Sequence, residues 1–194
     1  MPLDGKTQTL NRRFANHSAT SVMEHALTKL GHVGLVSSFG AESVVLLHMA
    51  ALIDRKVPVL FIDTEMLFAE TLVYQQDVAE RLHLENVQVI RASRAHIFEK
   101  DNENLLHLHD PDACCALRKT APLQDALQGF DGWVTGRKRY QGGQRASLDF
   151  FEVERPVDAM PRIKINPLAH WDTADLQEYI AQNRLPRHPL VAQG

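Results

Sequence analysis

Apolar positions along the chain follow two spacings, one typical of helices and one typical of short buried strands. Some stretches repeat apolar side chains at helical intervals, whereas short runs rich in Val, Leu and Ile have the length of a buried strand. The predicted helices are 18–30, Ser43–Leu52, 67–83 and Thr173–Gln182, and the predicted strands are His32–Ser37, Val57–Ile62, Val87–Ile90 and Gly132–Thr135. Strands that alternate with helices indicate right-handed βαβ units, so we expect an α/β fold with a parallel twisted sheet flanked by helices.

Residues that favour helix ends support these boundaries. Gly31 suits the C-cap of the first predicted helix, and Asp172 or Thr173 suits the N-cap of the last, with Asp175 in its first turn. We find no repeat, low-complexity tract or linker, so we expect residues 1–194 to form a single domain. Residues 1–15 and 185–194 are weaker candidates for ordered structure.

The composition narrows the classes of function. The chain has 194 residues, 44% of them hydrophobic, which suffices for one domain with a proper core. Its formal net charge of −3 gives no general attraction to nucleic acid or to a membrane surface. The apolar runs are too short to cross a bilayer, and the first residues lack an apolar leader, so we expect a cytoplasmic protein.

Two polar segments follow predicted strands and could bind a nucleotide. Ser37–Ser43 (SSFGAES) lies between a strand and a helix, where small residues and a glycine let backbone N–H groups approach an anion. It lacks the Gly-Lys-Ser/Thr ending of a Walker loop, and an N-capped turn is the simpler alternative. Asp63–Glu65 follows the second predicted strand and suits a ribose or a base edge, although it could simply cap the next helix.

A third polar segment, Thr135–Arg145 (TGRKRYQGGQR), follows the last predicted strand. It carries four cations and three glycines, which suit a phosphate-like polyanion, with a solvated basic loop as the alternative. Carboxyl ends of parallel strands lie on one edge of a sheet, where ligands of such folds bind. The three segments together therefore predict a site for an anionic nucleotide.

Cys114 and Cys115 are adjacent and are the only cysteines in the chain. Adjacent cysteines rarely form a disulfide with each other, so metal ligation, reactivity or a place in the core are the alternatives. Arg118 and Lys119 follow within about one turn and place positive charge beside this half-site for a soft metal. A zinc site completed by His107 or His109 is conceivable, although a polar loop over residues 100–112 is the preferred interpretation.

These segments, in this order, resemble the reductases of assimilatory sulfate reduction, which act on adenylyl sulfate (APS) or on its 3′-phosphorylated form (PAPS). The resemblance covers roughly residues 30 to 190. The matching segments are Ser37–Ser43, Ile62–Thr71, Cys114–Leu123, Thr135–Gln141 and Ile165–Leu168. The family resemblance implies a fold of the adenine-nucleotide α-hydrolase type, in agreement with the pattern of strands and helices.

The resemblance also implies roles for individual residues. The residues expected to bind substrate are Ser37, Ser38, Phe39, Gly40, Ile62, Asp63, Thr64, Gly136, Arg137, Lys138, Arg139 and Arg145. Lys119 would support catalysis by linking the cysteine region electrostatically to the substrate's sulfate. Cys114 and Cys115 would bind a [4Fe–4S] cluster together with a later Cys-x-x-Cys, as in the iron–sulfur APS reductases, because such clusters are held by thiolates.

The reaction implied by the resemblance is thioredoxin-dependent reduction of APS to sulfite and AMP. A cysteine on a C-terminal tail attacks the sulfate sulfur and forms an S-sulfocysteine, which thioredoxin or glutaredoxin then reduces. This chain lacks that cysteine and two of the four cluster ligands, so we expect a truncated, inactive form that still binds nucleotide. Glu65 stands where the family usually has glycine. A homo-oligomer is compatible with the sequence.

Three alternatives stay open at this point. The first is a PAPS reductase of the same family. The second is an ATP-dependent adenylating enzyme of the same fold, although Ser37–Ser43 matches its Ser-Gly-Gly-x-Asp-Ser loop poorly. The third is a non-catalytic nucleotide-binding remnant.

Overall fold

The computed structural model describes residues 2–157 and 159–192. The strands are β1 Val33–Ser37, β2 Val59–Ile62, β3 Val87–Ile90, β4 Gly132–Val134, β5 Phe151–Glu154 and β6 Arg162–Ile165. The α-helices are α1 Leu3–Phe14, α2 Ala19–Lys29, α3 Ser43–Ile53, α4 Ala69–Arg81, α5 Arg94–Lys100, α6 Leu106–His109, α7 Pro111–Cys115, α8 Ala121–Ala126 and α9 Thr173–Gln182. A π-helical turn, Ala116–Thr120, joins α7 to α8, and 3₁₀ turns occupy Arg139–Gln141, Gly143–Arg145 and Pro189–Ala192.

The six strands form one sheet in the order β3-β2-β1-β4-β6-β5. Neighbouring strands are parallel except for β5, which pairs antiparallel to β6 with Phe151 opposite Ile165. This confirms the predicted α/β class and the four predicted strands. The structure also contains β5 and β6, which the sequence pattern does not predict. Each has four residues, and charged residues alternate with apolar ones, so neither forms an apolar run.

The core lies on both faces of the sheet, as a sheet with helices on both sides requires. Successive residues of a strand point to opposite faces. In β2, Val59 and Phe61 accordingly join the larger core cluster, whereas Leu60 and Ile62 join a smaller one with Leu123, Leu127 and Trp133. All four residues of β2 are buried, and for this reason the strand has a continuous apolar sequence.

Local signals end the helices where the sequence predicts. Gly31 follows α2 with φ of 99°, a left-handed conformation that glycine adopts without steric cost. Asp172 accepts a hydrogen bond from Asp175 N–H at 3.0 Å, and the Asp175 carboxylate accepts one from Asp172 N–H at 2.8 Å. This reciprocal capping box begins α9, as Asp172 at the N-cap predicts.

Among the described residues, both terminal segments contain secondary structure and buried side chains. Helix α1 buries Thr7, Leu10 and Phe14 against the sheet edge, a stripe too sparse to stand out in a polar segment. Towards the other end, Leu185 and His188 are buried, and the Tyr74 hydroxyl donates to the Pro186 carbonyl at 2.9 Å. Met1, Asp158, Gln193 and Gly194 lie outside the described residues. Within the described residues, no helix has the length and apolar character needed to cross a membrane.

Candidate functional site

A cavity of about 440 Å³ opens where the order of the strands reverses, between β1 and β4. In open parallel sheets this switch point is where loops diverge and leave a crevice for a ligand. The cavity is lined by the end of β1, the loop into α3 and the loop after β4. Its described lining residues are Leu35, Val36, Ser37, Ser38, Gly40, Ala41, Glu42, Ser43, Leu46, Gly136, Lys138 and Leu168. Five predicted site residues therefore come together here: Ser37, Ser38, Gly40, Gly136 and Lys138.

Phe39 anchors the loop after β1 to the hydrophobic core. Phe39 has φ of 51°, and its fully buried ring packs edge-on against Phe61 with ring centroids 5.2 Å apart. Its N–H donates to Ser37 Oγ at 3.0 Å. A left-handed conformation costs a bulky residue free energy, which burial of the ring offsets. Phe39 thus anchors the loop from the core and does not line the cavity, unlike its neighbours.

Gly40 and Gly136 form the floor of the cavity, and neither has a side chain to fill it. A Cβ at Gly40 would lie 3.9 Å from Ser38 Oγ, and a Cβ at Gly136 would lie 3.6 Å from Leu46 Cδ1. Both are ordinary contacts, so protein packing does not require glycine at either position. Each glycine instead keeps space in the cavity that a side chain would fill, which suits close approach of a ligand to the backbone.

Lys138 is the cation that reaches the cavity from the basic loop. Its side chain is 4% exposed, and its Nζ lies 2.5 Å from Glu42 Oε2. The Tyr140 hydroxyl donates toward both Glu42 oxygens, at 3.0 and 3.2 Å. Glu42 comes from the loop that precedes α3, so this ion pair joins the loops on the two sides of the switch point. Sequence analysis predicts Lys138 at the site but not its carboxylate partner.

The three arginines of the basic loop are engaged with the protein. Arg137 lies 3.2 Å from Glu152, Arg139 donates to the Leu148 carbonyl at 2.7 Å, and Arg145 donates to Gln141 at 2.5 Å. The described lining of the cavity does not include them. Their expected contact with substrate stays a prediction that requires these side chains to change partners.

Asn166 positions the loop after β4 and was not predicted as a site residue. Its side chain is fully buried, accepts from Thr135 Oγ at 2.8 Å and donates to the Asp149 carbonyl and to Glu152 at 2.9 Å. Thr135 in turn accepts from Arg137 N–H at 3.2 Å. A buried asparagine between two apolar residues, in Ile165–Leu168, is the signal that could have pointed to it.

The segment after β2 is built mainly by internal hydrogen bonds. Ile62 is buried, and the buried Asp63 carboxylate accepts from Glu65 N–H at 2.9 Å and pairs with Arg91 at 2.8 Å. Asp63 therefore closes a local turn and does not cap the next helix, α4, whose N-cap residue is Phe68. Thr64 is half-buried, and Glu65 has φ of 60°, a conformation in which glycine is favoured. The turn therefore keeps a glycine-like backbone although the residue is glutamate.

The two cysteines have different environments on α7. Asp110 caps this helix by accepting from Ala113 N–H at 2.9 Å. Cys114 is buried, and burial raises the pKa of its thiol, an effect that the nearby Arg118 partly opposes. Cys115 is exposed, as is Lys119 one turn further along.

The π-helical turn follows directly after Cys115. Pro122 has no N–H and its ring excludes the carbonyl four residues earlier, so a regular α-helix cannot continue through Arg118. The Ala121 N–H donates instead to the carbonyl of Ala116, five residues earlier. Such π turns are rare and are often found at functional sites. The sequence signal for this turn is the proline alone.

Arg118 connects the cysteine helix with the segment after β2. Its guanidinium pairs with Asp101 at 2.7 Å, donates to Asn104 Oδ1 at 2.7 Å and donates to the Thr64 carbonyl at 3.2 Å. The Arg118 and Asp101 side chains are 3% and 2% exposed. Arg118 thus forms hydrogen bonds to two loops, one containing Asp101 and Asn104 and the other containing Thr64. These bonds hold the cysteine helix next to the end of β2.

The cysteine pair is not joined by further metal ligands among the described residues. Thiolates suit an iron–sulfur cluster, but a [4Fe–4S] cluster takes four of them and the chain contains two cysteines. Among residues 2–157 and 159–192, no three His, Cys, Asp or Glu side chains are grouped so as to hold a metal ion. His107 and His109 are exposed and form no such group with the cysteines. The described residues therefore do not make a complete metal site.

The fold and the cavity at the switch point define an α/β protein of the adenine-nucleotide α-hydrolase class. The family model described as "Phosphoadenosine phosphosulfate reductase domain" matches residues 32–194. The chain belongs to this family. The resemblance stated from the sequence is confirmed at that level.

Named relatives agree with this assignment. An "Adenosine 5'-phosphosulfate reductase" of Chelativorans sp. is 41% identical, with 100% of this chain and 79% of that protein aligned. One of Mesorhizobium japonicum is 42% identical, with 97% and 73% aligned. The crystal structure of phosphoadenylyl-sulfate (PAPS) reductase from Candida auris superposes with a TM-score of 0.80 at 27% identity, covering 97% of this chain and 90% of that chain. Candida glabrata FMN adenylyltransferase shares the fold at 17% identity and a TM-score of 0.61, covering 89% of this chain and 59% of that one.

Proposed function

We propose that this protein serves the reduction of APS to sulfite and AMP in assimilatory sulfate reduction. The observation that carries the proposal is the cavity at the switch point, whose glycine floor and buried Lys138 suit the phosphate group of an adenine nucleotide. The choice of APS is supported by relatives with 41% and 42% identity that are named adenosine 5′-phosphosulfate reductases. PAPS is the second candidate, supported by the superposition on the Candida auris enzyme.

In this proposal the chain binds and orients the substrate. We place the phosphate group beside the loop Ser38–Glu42 and the N-terminus of α3, where the helix dipole favours negative charge. The Phe39 N–H takes no part, because it donates to Ser37 Oγ. Lys138 contributes positive charge from the other side of the switch point, which the Glu42 carboxylate partly offsets. Positive charge at this place stabilises the AMP that leaves when the bond between phosphate oxygen and sulfur breaks.

The chemical step that we propose is transfer of the sulfonyl group to a cysteine thiolate. The thiolate sulfur forms a bond to the sulfate sulfur, the bond between that sulfur and the phosphate oxygen breaks, and AMP leaves with the electron pair. A dithiol reductant such as thioredoxin or glutaredoxin then attacks the S-sulfocysteine, releases sulfite, and supplies two electrons as it becomes a disulfide. Cys114 and Cys115 are not proposed as the nucleophile, because both are assigned below as cluster ligands.

We assign Cys114 and Cys115 as two of four ligands of a [4Fe–4S] cluster. Cluster binding then requires two further thiolates, because the chain contains two cysteines. With both cysteines assigned as ligands, we expect this chain by itself to bind nucleotide without completing the reaction. Lys119, exposed and one turn beyond Cys115, is the cation that we place between the cysteine pair and the substrate's sulfate.

Calorimetric titration with AMP tests the proposal directly. We expect saturable binding by the unsubstituted chain and weaker binding by Gly136→Ala, whose methyl group would occupy the cavity floor. The control is thermal unfolding of Gly136→Ala, which should change little because a Cβ at this position makes an ordinary contact. A titration of the unsubstituted chain that gives no saturable heat with either AMP or APS contradicts the proposal. Pyrophosphate release from ATP and Mg²⁺ would favour an adenylating enzyme instead.

A further inference from the structure

We propose that Glu42 makes the cavity at the switch point selective for nucleotides of low charge, and that it disfavours di- and triphosphates. This assignment rests on the proposed function, because it presumes that adenine nucleotides bind in this cavity. It goes further by naming the residue that sets the charge of the ligand that the cavity accepts. Glu42 belongs to the loop before α3, and its side chain has no role in the binding steps described above.

The charge of the cavity lining comes from two side chains. Among its described lining residues, Lys138 and Glu42 are the ionisable ones, and their formal charges cancel. The three arginines of the basic loop have partners elsewhere, at Glu152, the Leu148 carbonyl and Gln141. The cavity therefore attracts an anion through backbone N–H groups, hydroxyls and one paired lysine.

The contacts of Glu42 hold its carboxylate next to Lys138, so that the two opposite charges stay paired. Its Oε2 lies 2.5 Å from Lys138 Nζ, and both of its oxygens accept from the Tyr140 hydroxyl. The Lys138 side chain is 4% exposed, so it cannot leave Glu42 for solvent without loss of burial. The Glu42 side chain is 32% exposed and lies at the wall of the cavity, where a ligand meets its negative charge.

Each phosphate added to a ligand brings negative charge toward this carboxylate. Sites that hold polyphosphates match that charge with unpaired lysines, arginines or metal ions. The lysine among the described lining residues is already paired, so a β- or γ-phosphate would meet Glu42 with no unpaired cation in that lining, and like charges in proximity reduce affinity. AMP escapes most of this repulsion. APS meets less of it than ADP does, because its sulfate group adds less negative charge than a terminal phosphate.

The test is a comparison of dissociation constants for AMP, ADP and ATP, measured by calorimetry in EDTA. We expect the unsubstituted chain to bind AMP more tightly than ATP. In Glu42→Gln we expect the ratio of the ATP constant to the AMP constant to fall about tenfold, the effect of one screened charge. Glu80→Gln, an equal change of charge on the exposed surface of α4, should leave the ratio unchanged.

Two further variants keep the test decisive. Tyr140→Phe removes the hydrogen bonds to Glu42 but not its charge, and Glu42→Asp retains the charge, so both should keep the preference for AMP. An unsubstituted chain that prefers ATP, or a Glu42→Gln ratio equal to the unsubstituted one, overturns the assignment alone. Absence of AMP binding to the unsubstituted chain overturns the proposed function, and this assignment with it.

Discussion

Arg118 is a single residue on which two loops near the site depend. Its guanidinium contacts the Asp101 carboxylate, Asn104 Oδ1 and the Thr64 carbonyl, and both members of the ion pair are buried. Removal of one member of a buried pair leaves an uncompensated charge, which destabilises far more than loss of a surface pair. Arg118 therefore matters to the stability of the fold around the cysteine helix.

We therefore expect Arg118→Met to lower the Tm by about 10 °C, measured by thermal unfolding at pH 7. Arg81→Met is the matched control, because Arg81 pairs with Asp77 on an exposed face of α4, with side chains 60% and 41% exposed. Pairs of that kind contribute little, so the control should change the Tm by about 2 °C or less. Similar losses in the two variants would contradict the buried pair's importance.

The same pair makes a prediction about pH. Hydrogen bonds from Arg118 and from the Leu106 N–H hold the pKa of Asp101 below its ordinary value of 3.8. A lowered pKa means that this stabilisation is complete above pH 3.8 and is lost as pH falls through the lower value of the folded state. The Tm difference between the unsubstituted chain and Arg118→Met should therefore narrow below about pH 4. A constant difference from pH 7 to pH 3 would count against it.

Glu65 occupies a left-handed conformation, which is costly for any residue with a Cβ. Its partner Arg94, at 2.8 Å, is 84% exposed, so that pair offsets little of the cost. We expect Glu65→Gly to be more stable than Glu65→Ala by about 1 kcal/mol in urea unfolding, since both variants lack the ion pair. At Gln76, an exposed position within α4, the order should reverse, with alanine better than glycine. If the alanine variant at residue 65 were more stable than the glycine variant, the expected backbone strain at this position would be contradicted.

At the scale of elements, helix α1 protects an edge of the sheet. Strand β5 is the last strand on its side, and an unpaired edge offers free backbone groups to other chains. The Asn11 side chain donates to the Phe151 carbonyl and accepts from the Phe151 N–H, each at 2.9 Å. One amide thus pairs with the edge as a neighbouring strand would.

We expect Asn11→Ala to lower the free energy of unfolding by about 2 kcal/mol, because it leaves two backbone groups of β5 without partners. Urea unfolding measures this loss. Thr9→Ala on the same helix removes an exposed hydrogen bond to the Gly5 carbonyl and should change stability by less than about 0.5 kcal/mol. Equal losses of stability in the two variants would show that the hydrogen bonds of Asn11 to Phe151 contribute no more than the exposed bond of Thr9.

The sequence predicts elements well where one periodicity extends over several residues. Helix α3 and strand β2 are nearly continuous apolar segments and were located within a few residues. The sequence pattern predicts no helix within residues 94–126 and a polar loop over 100–112, whereas the structure has the helices α5 to α8 there, of four to seven residues each. Elements this short bury few residues, so capping by Asp110 and the missing N–H of Pro122 decide their limits more than periodicity does.

At the scale of the whole molecule, the site depends on which strands become neighbours. The motifs predict that Ser38, Gly40, Gly136 and Lys138 meet at one edge, and the structure brings them to one cavity. The partner of Lys138 could not be predicted, because Glu42 is 96 residues away and approaches only when β1 pairs with β4. Local patterns thus indicate which residue types gather at the site, while the topology decides how their charges are paired.

A ligand that binds in the cavity should raise the thermal stability of the folded chain. The cavity is walled by loops from both sides of the switch point, joined by the Glu42–Lys138 pair, so a ligand that bridges them should stabilise the folded state as a whole. At 100 times its dissociation constant, a ligand adds about 2.7 kcal/mol, which corresponds to a rise in Tm of roughly 5–10 °C for a chain of this size. We expect AMP to produce this rise and adenosine, at the same concentration, to produce less, because adenosine lacks the phosphate that the loop and Lys138 bind. Equal shifts with AMP and adenosine would mean that the cavity does not recognise the phosphate group.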